Sequence, residues 1–310
     1  GGLVLVAGGS DGKAALWSSL LFNPQEKQWI ETASLNVPRR SHTDTLLPGG
    51  SVLLVGGASP LDAPDISPPE RGIAERFDPT QNSWTLTSPG LAFRSSHTAT
   101  LLADGRVLVA GGIDAAAVNV GSIIPLASAD LYDPVADSWT AAAPMNAPHS
   151  AHTATLLPSG RVLVVGGDPA PRLTEIYDPL SDSWSLGGLL AQGRAHHSAT
   201  LLADATVLIA GGVGDAGALS SAEQLRGGAL GEPCQSPWEC ASGYCADGVC
   251  CDTGCGGDVV GACRACSAAR GASADGTCTP LPSTTVCRAA VGVCDATEFC
   301  TGSSATQGKS

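Results

Sequence analysis

The sequence predicts an all-β protein built from repeated four-stranded antiparallel sheets, and three observations predict this fold class. Residues 97–112 recur with little change at 42–57, 152–167 and 197–212, and their second half opens the chain at 3–9. Four tryptophans each lie 13 residues before the next repeated histidine and 7 after another aromatic residue. Only the step from the double glycine to that aromatic residue varies, at 14, 21, 21 and 11 residues. All length variation therefore lies in one connection of an otherwise constant unit.

The first half of each unit predicts a hairpin. A short stretch of strand formers (His-Thr-Ala-Thr-Leu-Leu) leads into a turn at Asp104-Gly105 or Ser159-Gly160, where glycine supplies a positive φ at no steric cost. Residues 161–165 follow and are apolar on both faces, which predicts a strand buried on both sides. The double glycine ends this strand, because residues without Cβ allow a sharp turn or a close backbone contact.

The second half of each unit predicts two further strands. They are Glu175-Ile176-Tyr177 and a strand beginning at Ser183-Trp184, with a turn at Asp178-Pro179 between them. One four-stranded sheet cannot bury both of its faces alone. Stacking several such sheets radially buries them, and this arrangement is a β-propeller.

The repeat divides residues 1–226 into three complete blades and two partial ones. We expect blades at 36–90, 91–145 and 146–191, with partial blades at 1–35 and 192–226. The first partial blade has no histidine-bearing first strand, and the last has no Asp-Pro turn or tryptophan. Because propellers usually close with 4–8 blades, we expect either that blades are missing before residue 1 or that the two partial sheets complete each other.

The double glycine, the aromatic pair seven residues apart and the blade length resemble the kelch family over residues 1–226. The resemblance implies a kelch-type β-propeller. Kelch propellers serve as binding scaffolds and, less often, as enzymes, so the resemblance implies no single activity.

Composition and charge exclude several classes of partner. The 310 residues are 43% hydrophobic, carry a net charge of −13 and contain no run of lysine or arginine. This balance argues against nucleic acid and anionic membranes as partners. The longest apolar runs have the length of strands, so the covered chain predicts no transmembrane segment. Because the chain begins with Gly1 inside a strand, we expect its start to be truncated. The lack of a visible signal peptide then gives no information about secretion.

The composition changes after the repeats. Residues 227–233 form a glycine-rich linker, residues 234–300 hold all 12 cysteines, and residues 301–310 resemble a flexible tail. An even number of cysteines with few large apolar neighbours predicts a small, loop-rich domain that is held by disulfide bonds and folds in an oxidising compartment. The sequence does not determine which cysteines pair. Structural zinc is the alternative, prompted only by Cys263-x-x-Cys266. The cysteines are Cys234, Cys240, Cys245, Cys250, Cys251, Cys255, Cys263, Cys266, Cys278, Cys287, Cys294 and Cys300.

Residues 239–251 within this region resemble cysteine-rich modules attached to bacterial secreted and surface proteins. That resemblance implies a location rather than a reaction.

Residues that recur at one position in every blade are interpreted as structural, and no metal ligand is assigned. The histidines would be hydrogen-bond anchors rather than a metal ring, because symmetric copies lie too far apart to share an ion. The tryptophans would pack between blades, with a carbohydrate platform as the alternative. The set comprises His42, His97, His152, His197, Gly56, Gly57, Gly111, Gly112, Gly166, Gly167, Gly211, Gly212, Trp29, Trp84, Trp139 and Trp184.

The variable connection is the predicted ligand face, because binding residues concentrate on loops that a rigid scaffold holds. In a four-stranded meander it emerges on the same side as the blade-to-blade segments. The alternative is that its long versions are merely tolerated insertions. His149 and His196 stand outside the repeated histidine position, and Trp17 and Phe93 are also candidate contacts. The candidate ligand-face residues are Asp62, Asp65, Glu70, Arg71, Phe93, Asp114, Asn119, His149 and His196.

The sequence gives little support for an enzymatic function. The kelch family includes copper radical oxidases, whose chemistry implies two tyrosines and two histidines on copper and a tyrosine bonded to cysteine. The propeller here has no cysteine, and Tyr132 and Tyr177 both occupy the repeated aromatic position. We therefore expect an extracellular or cell-surface binding or adhesion module that takes a protein or glycan ligand, without catalysis or cofactor. A carbohydrate-active enzyme, a sugar oxidase or a sialic acid mutarotase, remains the alternative.

Overall fold

The computed structural model describes residues 2–57, 74–90, 93–114 and 123–225, together with six short strands between residues 245 and 299. Every regular element in these residues is a β-strand, which confirms the all-β fold class. The linker, the tail and most of the cysteine-rich region lie outside the described residues, as does any pairing of the cysteines.

Five successive antiparallel sheets are the blades of the β-propeller. The first contains β1 (Val4–Ala7), β2 (Ser19–Asn23) and β3 (Gln28–Glu31), and the second β4 (Thr43–Leu46), β5 (Val52–Val55), β6 (Glu75–Asp78) and β7 (Ser83–Leu86). The third has β9 (Thr98–Leu101), β10 (Val107–Ala110), β12 (Ala129–Asp133) and β13 (Ser138–Ala142), and the fourth β14 (Thr153–Leu156), β15 (Val162–Val165), β16 (Leu173–Asp178) and β17 (Ser183–Leu189). The fifth has β18 (Ser198–Leu201), β19 (Val207–Ala210) and β22 (Ala222–Leu225).

Short strand pairs accompany these sheets. They are β8 (Arg94–Ser95) with β11 (Ile113–Asp114), β20 (Val213–Gly214) with β21 (Gly217–Ala218), β23 (Cys245–Ala246) with β24 (Val249–Cys250), β25 (Arg264–Ala265) with β26 (Thr279–Pro280), and β27 (Val286–Arg288) with β28 (Glu298–Phe299). Within the described residues, the first sheet lacks a histidine-bearing inner strand, and the fifth lacks a tryptophan-bearing outer strand.

Strand register gives every sheet two ends with different contents. In the third sheet, Leu101 pairs with Val107 and Val107 with Tyr132, beside the tight turns at 102–106 and 134–137. At the opposite edge Ala110 pairs with Ala129, beside the variable connection. We call these edges the turn end and the loop end. The register therefore places the variable connections and the segments before each histidine together at the loop end.

The core lies between neighbouring sheets. The second strand of each complete blade is almost wholly buried, because it has a sheet neighbour on both faces. Leu53 of the second sheet packs in one cluster with Val107 and Tyr132 of the third, and Leu108 packs with Tyr177 of the fourth. Burying each such aliphatic side chain contributes about 1.5–3 kcal/mol, so the sheets stabilise one another in sequence.

Candidate functional site

The repeated histidines join each sheet to the one before it. Nε2 of His97 hydrogen-bonds Oγ1 of Thr43 at 2.9 Å, and His152 and His197 make the same bond at 2.9 Å to Thr98 and Thr153. Burial lowers the pKa of His152 to about 3 and that of His197 to about 4, so both rings are neutral near pH 7. Within the described residues no group of three or more histidine, cysteine or acidic side chains could hold a metal ion.

The double glycine fits between two sheets. A Cβ on Gly111 would overlap the carbonyl oxygen of His149 in the next sheet, while one on Gly112 would lie 2.9 Å from Cβ of His97 in its own sheet. The amide of Gly112 donates to the carbonyl of His149 at 2.7 Å. Both glycines have positive φ, at 64° and 98°. Gly111 is therefore required by its close contact with the next sheet, and Gly112 by its close contact with the inner strand of its own sheet.

A second set of repeated residues, not recognised in the sequence analysis, lies three positions before each histidine. Nη1 of Arg39, Arg94 and Arg194 donates at 2.8 Å to the carbonyl of the first glycine of its own sheet. Arg39 also pairs with Glu75 at 2.7 Å, and Arg94 pairs with Asp130. The signal was present in the sequence, because the carboxylates Glu75, Asp130 and Glu175 each lie two residues before the repeated aromatic residue.

His149 occupies this arginine position in the fourth sheet and is fully buried. Its Nδ1 lies 2.6 Å from the carbonyl oxygen of Gly166, and its Nε2 lies 3.1 Å from Oε1 of Glu175. The assignment of its side chain to the exposed ligand face is therefore corrected, because the ring substitutes for a buried guanidinium inside the sheet. Burial opposes ionisation of Glu175, but hydrogen bonds from His149 and Asn146 keep the pKa of this carboxyl below its ordinary value.

The buried carboxylates also shape the loop end. Glu75 accepts hydrogen bonds from the backbone and side-chain amides of Asn36 at 2.7 and 2.8 Å and from the amide of Val37 at 3.0 Å. Glu175 repeats this pattern with Asn146 and Ala147. Each carboxylate thus fixes the segment that precedes an inner strand, which preorganises the backbone at the loop end.

The aromatic residues connect the outer strands. Indole Nε1 of Trp84 donates to Ser19 at 3.1 Å, and that of Trp184 donates to the carbonyl of Ala143 at 2.8 Å, each in the preceding sheet. The hydroxyl of Tyr132 donates to Asp137 at 2.8 Å, and burial together with this carboxylate raises the tyrosine pKa. The indole N–H groups and the tyrosine hydroxyl are therefore engaged in hydrogen bonds within and between the sheets.

Several candidate ligand-face residues lie outside the described residues, namely Asp62, Asp65, Glu70, Arg71 and Asn119. At the loop end of the third sheet, Asp114 pairs in register with Arg94, the residue that follows Phe93. His196 is exposed, has a φ of 54° and donates its amide to Ala151 at 2.9 Å. The side chain of His196 is therefore accessible to a ligand, whereas that of His149 is buried inside its sheet.

Exposed apolar side chains accompany these residues at the loop end. Trp17, in the variable connection of the first sheet, is 46% exposed, and Ile123 and Ile124 in that of the third are 74% and 49% exposed. The backbone holds both connections, since Trp17 accepts a bond from the amide of Leu35 and Ile124 one from that of Asp114. Fixed, solvent-facing apolar side chains are typical of binding surfaces.

Residues 94–146, which contain the third sheet and its flanking segments, match the Kelch motif. The third of the five blades of this β-propeller therefore carries a Kelch motif. Among curated proteins, an F-box/kelch-repeat protein of Arabidopsis thaliana is 40% identical over 65 residues, which are 21% of this chain and 13% of that protein. Kelch-like protein 6 of Homo sapiens is 29% identical over 109 residues, 35% of this chain and 16% of that protein.

The chain thus spans only a small part of the length of either relative. Both relatives are kelch proteins by name, and kelch propellers commonly mediate protein interactions. No helix in the described residues has the length and apolar character needed to cross a membrane.

Proposed function

We propose that this kelch propeller is a non-catalytic binding module that holds a protein partner at its loop end. The observation that carries the proposal is the exposure of Trp17, Ile123 and Ile124 on connections that the rigid sheets hold in place. A large aromatic or aliphatic side chain fixed in water gains free energy when a partner covers it. The Kelch motif at residues 94–146 supports a protein rather than a small substrate as the partner class, because kelch propellers commonly mediate protein interactions.

Charge narrows the class of partner. The chain carries a net charge of −13, so long-range electrostatics favours a neutral or basic partner over an acidic one. The exposed apolar residues at the loop end would then form the centre of the contact, while Asp114 and His196 would lie at its polar rim.

We also propose that the module works outside the cell or at the cell surface. This part of the proposal rests on the 12 cysteines between residues 234 and 300, because such density in a short segment is typical of oxidised domains. Counting free thiols in the unreduced full chain tests it. Fewer than about two reactive thiols supports an oxidised domain, whereas about twelve contradicts the extracellular assignment.

Paired surface variants test the binding role. Trp17→Ser and Ile124→Ser each remove an apolar side chain from the loop end, and Leu180→Ser removes one that is 96% exposed at the turn end of the fourth sheet. We expect the first two to weaken capture of the partner about tenfold and the third to leave it unchanged. Equal effects of all three variants would contradict a loop-end site.

Two further measurements decide the class of ligand. A glycan array separates a glycan ligand from a protein ligand. Turnover of a sugar or an aldehyde by the purified chain would replace the binding role with the enzymatic alternative.

A further inference from the structure

A pocket of about 420 Å³ lies at the turn end, away from the proposed partner face, between the second and third sheets. One wall comes from the first turn of the second sheet, at Leu47, Pro48 and Ser51, together with Arg76. The other wall comes from both turns of the third sheet, which supply Asp104 to Arg106 and Asp133 to Val135. Its volume is within the range of small-ligand sites, about 300–1,000 Å³.

The repeat provides an internal comparison for Arg76. The residue at this position is Leu21, Leu131 or Ile176 in the first, third and fourth sheets, and Leu131 and Ile176 are each only 5% exposed. The fifth sheet has an exposed Gln224 there. Between the packed sheets the fold therefore fills this position with an apolar side chain. A guanidinium at the same position raises the desolvation cost of folding, so the demands of the sheet do not explain it.

A second departure from the repeat opens the same pocket. Ser51 ends the first turn of the second sheet, where the third and fourth sheets have Arg106 and Arg161. The smaller side chain leaves space beside Arg76 that an arginine would occupy. Arg76 and Ser51 thus both depart from the repeat and both line this pocket. Arg76 provides a positive charge, and Ser51 leaves space beside it.

Arg76 forms no salt bridge with a carboxylate among the described residues, although hydrogen bonds from Thr80 and, to a smaller extent, the charge of Arg76 lower the pKa of Asp78 on the same strand. Its Nη1 donates to the carbonyl of Pro134 at 3.3 Å, and its side chain also interacts with the hydroxyl of Tyr132. Asp104 is engaged with Arg106 at 2.7 Å. Asp133 accepts the amides of the turn that follows it, at 2.8 and 3.1 Å. This contrasts with the buried Arg39 and Arg94, which both have a carboxylate.

We propose that this pocket binds the carboxylate group of a ligand. Arg76 supplies charge-assisted hydrogen bonds to the two carboxylate oxygens, an arrangement that the planar guanidinium favours. Pro48, Pro134 and Val135 form an apolar rim against which the carbon chain of the ligand packs. The carboxylate belongs either to a small organic acid or to the side chain of a peptide, and these two sources share the same recognition chemistry.

Methyl NMR of the full-length chain tests the proposal with matched probes. Pentanoate and its neutral isostere pentanamide form the small-molecule pair, and a blocked glutamate dipeptide and its glutamine counterpart form the peptide pair. We expect the acidic member of at least one pair to shift the methyl signals of Leu47 and Val135 and to bind about tenfold more tightly than its neutral partner. The pair that binds more tightly identifies the source of the carboxylate.

Two variants that restore the repeat separate binding from folding. Arg76→Leu installs the residue of the third sheet, and Ser51→Leu installs the residue that Leu3 provides in the first sheet and fills the space without adding a charge, so both should fold, which a thermal melt verifies. We expect each to reduce carboxylate binding about tenfold or more, whereas Arg40→Leu, at an exposed arginine before an inner strand, should not. Equal binding of acid and amide, no binding by either acid, or unchanged binding by folded Arg76→Leu would overturn the proposal.

Discussion

His149 contacts two hydrogen-bond acceptors at once, the carbonyl of Gly166 at 2.6 Å and the carboxylate of Glu175 at 3.1 Å. A neutral imidazole carries one N–H, so both bonds are donated only by the protonated ring. In the second sheet the equivalent bonds come from Arg39, which is charged at every physiological pH. The same anchor is therefore built from a guanidinium in the second sheet and from an imidazole in the fourth.

Replacing His149→Arg should stabilise the protein at pH 8, because a guanidinium is charged there and has several N–H groups for the two acceptors, whereas a neutral imidazole has only one. The second sheet already accommodates arginine beside Glu75, so the fourth should accommodate it beside Glu175. We expect the free energy of unfolding in urea to rise by about 1–2 kcal/mol. The reciprocal change Arg39→His should lower it by a similar amount at the same pH. No gain in the first variant and no loss in the second would contradict this account of the anchor.

Removing Glu75 should loosen the loop end as well as the sheet. Glu75→Ala leaves Arg39 buried without its counterion and frees the amides of Asn36 and Val37, so we expect a loss of about 3–5 kcal/mol. Hydrogen exchange distinguishes the two effects, because the amide of Val37 should lose protection. Asp130→Ala is the matched control, since it removes the partner of Arg94 and should leave exchange at Val37 as it is.

The bond between His152 and Thr98 should contribute measurably to the packing of the third and fourth sheets. Thr98→Val keeps the shape of the side chain and removes the hydroxyl that lies 2.9 Å from Nε2 of His152. We expect a loss of about 1–2 kcal/mol in urea unfolding. Thr100→Val on the same strand is the control and should have an effect below about 0.5 kcal/mol. Equal losses in the two variants would contradict a specific contribution from the bond to His152.

Gly111→Ala should destabilise the protein far more than Gly160→Ala, although both glycines have positive φ. A Cβ at Gly111 overlaps the carbonyl oxygen of His149, whereas one at Gly160 meets no atom within 4 Å. We expect on the order of 1 kcal/mol for Gly160, from backbone strain alone, and several times more for Gly111. Thermal melts of both variants measure the difference, and similar melting temperatures would contradict the close fit between sheets.

Acidification should weaken the propeller between about pH 6.5 and 4. Burial lowers the pKa of His42 and of His197 to about 4 and that of His152 to about 3, whereas the unfolded chain titrates near 6.5. The unfolded state therefore binds more protons in this interval, and stability falls as the pH falls. His152→Gln should reduce the slope of unfolding free energy against pH by about one proton. An unchanged slope would show that His152 does not contribute.

The period of the sequence was enough to predict the fold, because the repeated histidine, double glycine and tryptophan all act between sheets and recur wherever sheets meet. The arginine anchor escaped detection because its fourth copy is His149, which hides the pattern three residues before each repeated histidine. Burial decides the role of such a residue, and spacing alone does not report burial. Arg76 needed the same comparison, since only the buried Leu131 and Ile176 reveal that its position is normally apolar.

The bonds that His152, Trp184 and the double glycines make from one sheet to the next lie outside the variable connection. In the third sheet, among the residues that the structure describes, this connection adds its own bonds to the following segment only at Leu126 and Ala127. Insertions and deletions between Asp114 and Ile123 should thus alter what the molecule recognises while its architecture persists. Descendants of one gene can diverge in specificity by exchanging whole loops, and a foreign segment spliced at this place would be displayed on an unchanged scaffold.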